Sequence, residues 1–247
     1  MNFADLDIVW PAFLAGVLVL TTHAPFGMRV LARNVIFADL AVAQIAGLGA
    51  FAATIGGYGE NPLITQAAAG VSALCGGLLL ALIEHYLHDI REACIGLLFV
   101  LSATAAILLM SGDTHAGEHL KDLLTGQILW VSTHQLIVTA LLSGILLLLW
   151  RKFGEHISPL GFYTLFALAI TASVQLVGVY LVFASLIVPA LATYRIQRRR
   201  LPVAFGIGFI GYGLGLLLSV WYDLPSGAAI VWSMAAAGAL VLFGKRA

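Results

Sequence analysis

Long apolar stretches alternate along this chain with short clusters of charged residues. A helix that spans a lipid bilayer needs about 20 mostly apolar residues. Because the apolar runs are continuous and do not alternate every second residue, they predict transmembrane helices and not the strands of a barrel. Eight stretches contain no charged residue: 8–28, 40–59, 61–83, 93–112, 123–150, 157–194, 201–222 and 224–244.

The stretch 157–194 has the wrong length for a single crossing. As one helix it would be about 57 Å long at 1.5 Å per residue, whereas the hydrocarbon core is about 30 Å thick. We therefore predict a full helix, a turn near Gln175–Gly178, and a shorter returning helix that ends at Tyr194.

Basic residues support this hairpin, because Lys and Arg in short loops mark the cytoplasmic side. With one crossing per stretch, the 12 basic residues divide five to seven between the two sides. With the hairpin, every basic residue except Lys121 falls on one side. The pattern predicts a multi-pass membrane protein, with its N-terminus outside and its C-terminus in the cytoplasm.

The predicted fold is all-α: a polytopic integral membrane bundle in one transmembrane domain, residues 1–247. We expect the apolar stretch 123–131 to form a short helix on the outer face, with Trp130 at the interface. Gly211 and Gly215 have the spacing that lets membrane helices approach closely. The nine predicted segments are 9–27, 35–56, 63–87, 93–111, 134–150, 160–176, 179–194, 202–221 and 226–243.

Composition excludes several functional classes. Only 10% of the residues are charged and 61% are hydrophobic, with mean hydropathy +1.02, whereas soluble domains carry about 25% charged residues. A net charge of zero gives no basic surface for nucleic acid. Neither a phosphate-binding loop nor a nucleophile elbow occurs. We predict a protein that is not an enzyme, so another chain would have to hydrolyse any ATP that it uses.

Asp39 is the acidic residue that falls inside a predicted span. A carboxylate at membrane depth costs at least a few kcal/mol, which makes Asp39 a candidate cation ligand. Gln44 lies a little more than one turn further along the same helix. Five positions correspond to about 140° of rotation, so the two side chains need ligands from other helices to form one site. The alternative is that Asp39 pairs with Arg33 or caps the helix.

Two histidine clusters have the spacing of metal ligands. The cytoplasmic cluster ends the third span, where His85 and His88 share a helix face and Glu84 or Asp89 could complete a site. The outer-loop cluster consists of His115, Glu118 and His119, with the two imidazoles four positions apart. For each cluster the alternative is a solvated polar turn. His23, His134 and His156 stand alone, and we expect them to be structural.

Three segments carry a family pattern, in chain order. The first runs from Arg33 to Gly49 around Phe-Ala-Asp39, and the second is Glu92–Phe99, Glu-Ala-Cys-Ile-Gly-Leu-Leu-Phe, followed by Leu124–Leu129. The third, Gln175–Thr193, contains Val-Gly-Val-Tyr-Leu-Val-Phe-Ala-Ser-Leu-Ile-Val-Pro-Ala. Together they resemble the permeases of bacterial metal-ion ATP-binding-cassette importers, the zinc, manganese and iron family of ABC-3 type.

This resemblance implies a function and a set of partners. It implies a permease that imports a divalent transition metal, zinc by our expectation, with no permanently bound cofactor. It also implies a homodimer in the lipid of the bacterial inner (plasma) membrane, a separate ATPase subunit, and a periplasmic or lipoprotein metal-binding protein. Asp39 corresponds to the family's pathway Asp, but Ala43 stands where the family has His, and Gln44 is the nearest polar residue.

The chain departs from the family in its connection at 151–159, which is shorter than the family's ATPase-coupling loop. Coupling would use this segment, with Arg91 or the basic run Arg195–Arg200 as further contacts. Two other functions fit the same composition: a stand-alone secondary carrier or channel for cations, and a non-transporting scaffold in a membrane complex.

Overall fold

A computed structural model describes residues 3–111, 116–154 and 157–244, without the side chains of residues 3–7, 116, 118–120 and 122. The described residues form ten α-helices joined by short turns. These helices are α1 Phe3–Arg33, α2 Ala38–Ala53, α3 Pro62–Tyr86, α4 Arg91–Leu109, α5 Ala116–Thr125, α6 Thr133–Phe153, α7 Pro159–Val177, α8 Val179–Ala192, α9 Arg200–Tyr222 and α10 Ser226–Gly244.

Most of these helices are long and apolar enough to cross a membrane. Within the described residues eight qualify by length and composition, and α8 is a shorter apolar helix. Each of the nine predicted segments overlaps one of these helices, so the prediction of an all-α polytopic membrane bundle is confirmed. The eight spans are Ile8–Arg33, Ala38–Tyr58, Pro62–Tyr86, His88–Leu109, Thr133–Phe153, Pro159–Val177, Arg200–Tyr222 and Ser226–Gly244.

The short helix predicted at 123–131 was placed wrongly. The helix there is α5, which begins at Ala116 and ends at Thr125. It ends because Gly126 takes a positive φ of 67°, and a single 3₁₀ turn, Ile128–Trp130, follows. The sequence prediction used charge-free residues alone, whereas a helix outside the hydrocarbon tolerates the charges of α5. Trp130 is exposed, as an interfacial residue would be.

A break separates α7 from α8 where the sequence predicted a turn. Gly178 precedes α8 with φ 79° and ψ 163°, a conformation that side chains other than hydrogen rarely tolerate. Hydrogen bonds continue on both sides, from Gly178 N–H to the Val174 carbonyl at 2.9 Å and from Val182 N–H to the Gly178 carbonyl at 3.0 Å. The location of the break is therefore confirmed, while the reversal of chain direction stays a prediction.

At this break the backbone around Gly178 touches the backbone around Gly126, so the third sequence motif contacts the second. A Cβ on Gly126 would collide with the backbone of Val177 and Gly178, and a Cβ on Gly178 would collide with Thr125 and Gly126. Two backbones with positive φ thus touch directly. Only glycine permits such an approach, which explains why both motifs contain it.

The C-terminus of α2 and the N-terminus of α3 are determined by residues that lie next to them in the sequence. α2 runs into one π turn, Thr54–Tyr58, in which Gly57 has φ 87°. The chain then turns, and the Asn61 side chain accepts hydrogen bonds from Leu63 N–H at 3.1 Å and Ile64 N–H at 3.4 Å. With Pro62 in its first turn, α3 has the N-terminus that helix capping predicts.

By its contacts the chain divides into two compact units, and the single-domain organisation stays a prediction. Unit 1 comprises Met1–Arg33, Leu124–Leu148 and Ser173–Ala247. In it α1 packs against α8 and α9, and α10 packs against the same two helices. Small residues allow these contacts: a Cβ on Gly211 would lie 2.6 Å from Met234 Cβ.

Unit 2 comprises Asn34–Leu123 and Leu149–Ala172. In it α2 packs against α3 and α4. Glycine again mediates the approach, since a Cβ on Gly76 would lie 2.9 Å from Ile45 Cδ1. A Cβ on Gly77 would lie 2.9 Å from the Tyr163 carbonyl oxygen. This packing fixes α2, the helix that carries Asp39.

The α9 glycines provide a test of the packing. Gly211→Ala places a methyl against Met234, whereas Gly206 faces open space, so Gly206→Ala is a matched control with the same gain in helix propensity. We expect overpacking to cost Gly211→Ala about 1–3 kcal/mol. Its melting temperature in detergent should fall by roughly 2–4 °C per kcal/mol, while that of Gly206→Ala stays at or above wild type. Equal melting temperatures would contradict the close contact.

Candidate functional site

Asp39 lies in the first turn of α2 and is buried, with 1% of its surface exposed. Neither carboxylate oxygen has a hydrogen-bond partner among the described residues. The backbone N–H groups of Asp39 and Leu40 lie close to the carboxylate, so the alternative interpretation, in which Asp39 caps the helix or pairs with Arg33, stays open. A buried carboxylate without a donor is costly, and such a group calls for a ligand or ion.

Gln44 lies on the same helix and is also buried, with 2% of its surface exposed. Its Oε1 atom has no hydrogen-bond partner in the described part of the chain. The helical rotation of about 140° between the two positions holds, because α2 is unbroken from Ala38 to Ala53. Asp39 and Gln44 thus offer oxygen atoms on different faces of α2.

Glu92 is a residue that the sequence analysis did not identify as part of the site. It lies in the first turn of α4, and its Oε1 accepts a hydrogen bond from Phe37 N–H at 3.2 Å. Phe37 precedes α2 directly, where backbone N–H groups lack partners within the helix. Glu92 therefore binds the start of α2, two residues from Asp39.

The two carboxylates form the acidic part of the site. Glu92 lies close enough to Asp39 for its charge to act on that carboxyl group. Its second oxygen, Oε2, is buried without a hydrogen-bond partner, like both oxygens of Asp39. Three carboxylate oxygens are thus available near the beginning of α2. Carboxylate oxygen is a ligand for Mg²⁺, Ca²⁺ and Mn²⁺, and also for Zn²⁺ and Fe²⁺.

No group of three or more His, Cys, Asp or Glu side chains within the described residues is arranged to hold a metal ion. The Asp39 and Glu92 carboxylates therefore make an incomplete site, which would need water or further oxygen ligands to coordinate a cation.

The cytoplasmic cluster predicted at residues 84–89 is spread over two short elements. Glu84 and His85 belong to the end of α3, while His88 and Asp89 lie in a 3₁₀ turn, His88–Ile90. His88 Nδ1 lies 3.6 Å from Asp89 Oδ1, and both side chains are exposed. The His85 ring packs edge-on against Tyr86. A metal-binding role for this cluster stays a prediction.

The outer-loop cluster cannot be placed as a whole. His115 lies outside the described residues, and Glu118 and His119 belong to α5 without described side chains. Its role stays a prediction as well. Cys75 and Cys94 are both free thiols in unit 2.

His23 is another residue that the sequence analysis did not identify as part of a site. It lies in α1, is completely buried, and its Nε2 atom has no hydrogen-bond partner among the described residues. A single histidine in an apolar stretch gives no signal of this in sequence, because the hydrogen bonds of its ring depend on the surrounding helices.

An all-helical membrane bundle that buries unpaired carboxylates is typical of ion-transport proteins. The chain belongs to the ABC 3 transport family, whose model matches residues 5–156 and 155–244. The resemblance to permeases of metal-ion ATP-binding-cassette importers, drawn above from three segments, is therefore confirmed.

Named relatives agree with this assignment. A protein of Haemophilus influenzae named "Probable iron transport system membrane protein" is 30% identical over 193 residues, 67% of this chain and 70% of that protein. The manganese transport system membrane protein MntC of Halalkalibacterium halodurans is 30% identical over 200 residues, 70% and 68% of the two chains. The fold matches PsaBC from Streptococcus pneumoniae, solved in complex with Fab, with TM-score 0.76 and 20% identity over 98% of this chain and 96% of that one.

The Glu92 contact is directly testable. Glu92→Ala removes the acceptor of the Phe37 N–H, a loss of about 1 kcal/mol, which corresponds to roughly fivefold faster amide exchange at the start of α2. Glu92→Gln keeps an acceptor oxygen and should exchange like wild type. Hydrogen–deuterium exchange of peptides covering residues 36–42 measures this, and Asp89→Ala, at an exposed acid, is the control. Unchanged exchange in Glu92→Ala would show that the contact does not hold α2.

Proposed function

We propose that this chain is the membrane permease subunit of an ATP-driven importer for a divalent transition-metal cation. The observation that carries the proposal is the buried Asp39 carboxylate, which has no hydrogen-bond partner in the described residues of a chain of the ABC 3 transport family. A divalent cation would give this carboxylate the opposite charge that its surroundings lack.

The residues suggest how the site handles its cargo. The Asp39 carboxylate would bind the cation directly, while Glu92 holds the N-terminus of α2 and supplies negative charge beside it. Gln44, on another face of α2, would offer an amide oxygen along the same helix. Because the site is incomplete, binding stays weak enough for release. Alternating access would expose it first to one side of the membrane and then to the other.

The partners follow from what the chain itself lacks. The sequence has no phosphate-binding loop, so a separate ATPase subunit would supply the energy, and a periplasmic or lipoprotein binding protein would deliver the metal. The permease would act as a homodimer in the bacterial inner membrane, with its N-terminus outside and its C-terminus in the cytoplasm. The connection between α6 and α7 is short, so Arg91 and the Arg195–Arg200 run are further candidate contacts to the ATPase.

The identity of the metal is a separate step of the proposal. Zinc was our expectation from sequence, whereas the named relatives are manganese and iron transport proteins. Carboxylate and amide oxygens, the ligands that Asp39 and Gln44 offer, suit manganese better than zinc, which favours imidazole and thiolate. We therefore propose manganese or ferrous iron as the preferred cargo, with zinc as a weaker competitor.

Asp39→Asn tests the central role of the carboxylate. The amide keeps the shape but removes the charge, so we expect metal uptake to fall at least tenfold while the protein still reaches the membrane. Uptake of radioactive ⁵⁴Mn²⁺ into proteoliposomes that contain the permease, its ATPase and ATP measures this. Asp223→Asn, at an exposed acid outside every candidate site, is the matched control and should transport like wild type. Wild-type flux through Asp39→Asn would make Asp39 structural, and uptake without ATP would favour a stand-alone carrier.

Competition between metals tests the choice of cargo. With ⁵⁴Mn²⁺ as tracer, we expect excess unlabelled Mn²⁺ or Fe²⁺ to reduce uptake at lower concentration than Zn²⁺ does, because oxygen ligands discriminate little in favour of zinc. Metal-dependent stimulation of ATP hydrolysis in the same vesicles gives a second measurement. If Zn²⁺ competes best, the preference for oxygen-ligated metals is wrong and the original expectation of zinc is right.

A further inference from the structure

His23 lies inside the membrane span of α1, with 0% of its surface exposed. Its Nδ1 atom lies 2.9 Å from the Val19 carbonyl oxygen and 3.0 Å from Thr22 Oγ1. The Thr22 hydroxyl in turn donates to the Val19 carbonyl at 3.1 Å. One nitrogen of the ring is thus held firmly by its own helix, while Nε2 has no partner among the described residues.

These distances determine which nitrogen carries the proton in the neutral ring. A carbonyl oxygen only accepts, so Nδ1 at 2.9 Å from the Val19 oxygen has to donate. The hydroxyl of Thr22 already donates to the same carbonyl, so its oxygen is free to accept from Nδ1. In the neutral imidazole Nε2 then bears a lone pair and no hydrogen. A ring whose other N–H donates to a backbone carbonyl is the arrangement found in metal-binding histidines.

The surroundings of His23 lie within unit 1. Gly16, Leu20 and Gly27 lie on the same face of α1 as His23, because these positions fall within about 60° around the helix. A Cβ on Gly16 would collide with the Tyr212 ring of α9, and one on Gly27 would collide with the Leu186 carbonyl of α8. The face that carries His23 is therefore the face that packs against α8 and α9.

α1 is weakened directly beside this histidine. Pro25 lies inside the helix and has no N–H, so the Thr21 carbonyl loses its usual donor four residues on. The Thr21 and Thr22 hydroxyls also bond back to carbonyls of their own helix, at 2.6 Å and 3.1 Å, a pattern that bends helices. The backbone hydrogen bonding of α1 is therefore weakest next to His23.

We propose that His23 Nε2 binds the transported divalent metal during passage, as a nitrogen ligand distinct from the oxygen ligands of α2. The proposal rests on the proposed function and deepens it by adding a second ligand type. In this structure Nε2 is sealed between helices, so binding requires that α1 part from α8 and α9 at one stage of the transport cycle. A structural histidine of this depth would instead be expected to bond through both nitrogens.

Two amide substitutions separate a ligand from a packing residue. The amide nitrogen of His23→Asn lies where Nδ1 was, so it can keep the bond to the Val19 carbonyl while the Nε2 lone pair is removed. The smaller side chain leaves a cavity, so we expect this variant to melt below the wild-type temperature, and metal uptake per folded molecule to fall at least tenfold. A purely structural role for His23 predicts that uptake per folded molecule stays at the wild-type level.

Pulsed electron paramagnetic resonance of Mn²⁺ added alone to the permease–ATPase complex gives a direct readout. A coordinated ¹⁴N nucleus couples to the metal spin, so wild type should show this coupling in the nucleotide-free or the vanadate-trapped state. His23→Asn should lose it, and His134→Gln, at an exposed histidine, should keep it. His23→Gln, which places its amide near Nε2, serves as the second variant if His23→Asn does not fold.

The outcomes separate this inference from the proposed function. If wild-type vesicles transport none of the tested metals, the proposed function itself is wrong. If wild type transports metal but His23→Asn keeps both the ¹⁴N coupling and the full uptake rate, the role of His23 is overturned and that of Asp39 stands. Loss of both in a variant that still folds supports nitrogen ligation by His23.

Discussion

The constraint on which the rest of this structure depends is the lack of water in the hydrocarbon core. Every backbone N–H and C=O at that depth has to find its partner within the chain, and in a helical protein that means within the helix. Departures from regular helix are therefore costly and informative. Among the glycines of the described residues, Gly57, Gly126 and Gly178 take a positive φ, and the last two lie against each other, so that one backbone covers the break in the other. The interrupted helix is tolerated because it is covered by protein and not by lipid.

The same constraint explains which features could be predicted from sequence. Each membrane helix is made by its own residues, so charge-free stretches were sufficient to locate nine segments and to place the break near Gly178. The helix α5 was misplaced because its end is set by the positive φ of Gly126, which depends on contact with a segment about 50 residues away. Glu92 was missed for a similar reason: its hydrogen bond to Phe37 joins residues 55 apart, and neither helix alone indicates that pairing.

Asp39 shows how stability and function oppose each other in such a bundle. A carboxylate with no donor weakens the folded protein, and a neutral residue of the same size would pack into α2 with less cost. A bound cation offsets this loss, so the metal should stabilise the state that binds it, by an amount that grows with its concentration relative to its dissociation constant. Glu92 increases the effect, because it adds negative charge while it holds the start of α2. Under the proposed function, the most stable form of the site is therefore the loaded one.

The imidazole of His23 bears on selectivity in a way that the carboxylates alone do not. Oxygen ligands attract every divalent cation, including the abundant Mg²⁺, and discriminate weakly among them. A nitrogen with a fixed lone pair disfavours Mg²⁺ and Ca²⁺, and it binds Fe²⁺ and Zn²⁺ more strongly than Mn²⁺, so within the proposed cargo it favours ferrous iron. An acid could be recognised as functional in the sequence because any charge at membrane depth is unusual. The histidine could not, because its chemistry depends on one contact, the 2.9 Å bond to Val19, which leaves the other nitrogen ready to bind. If both proposed roles hold, the imidazole disfavours the common cations, while the carboxylate still releases the transition metal.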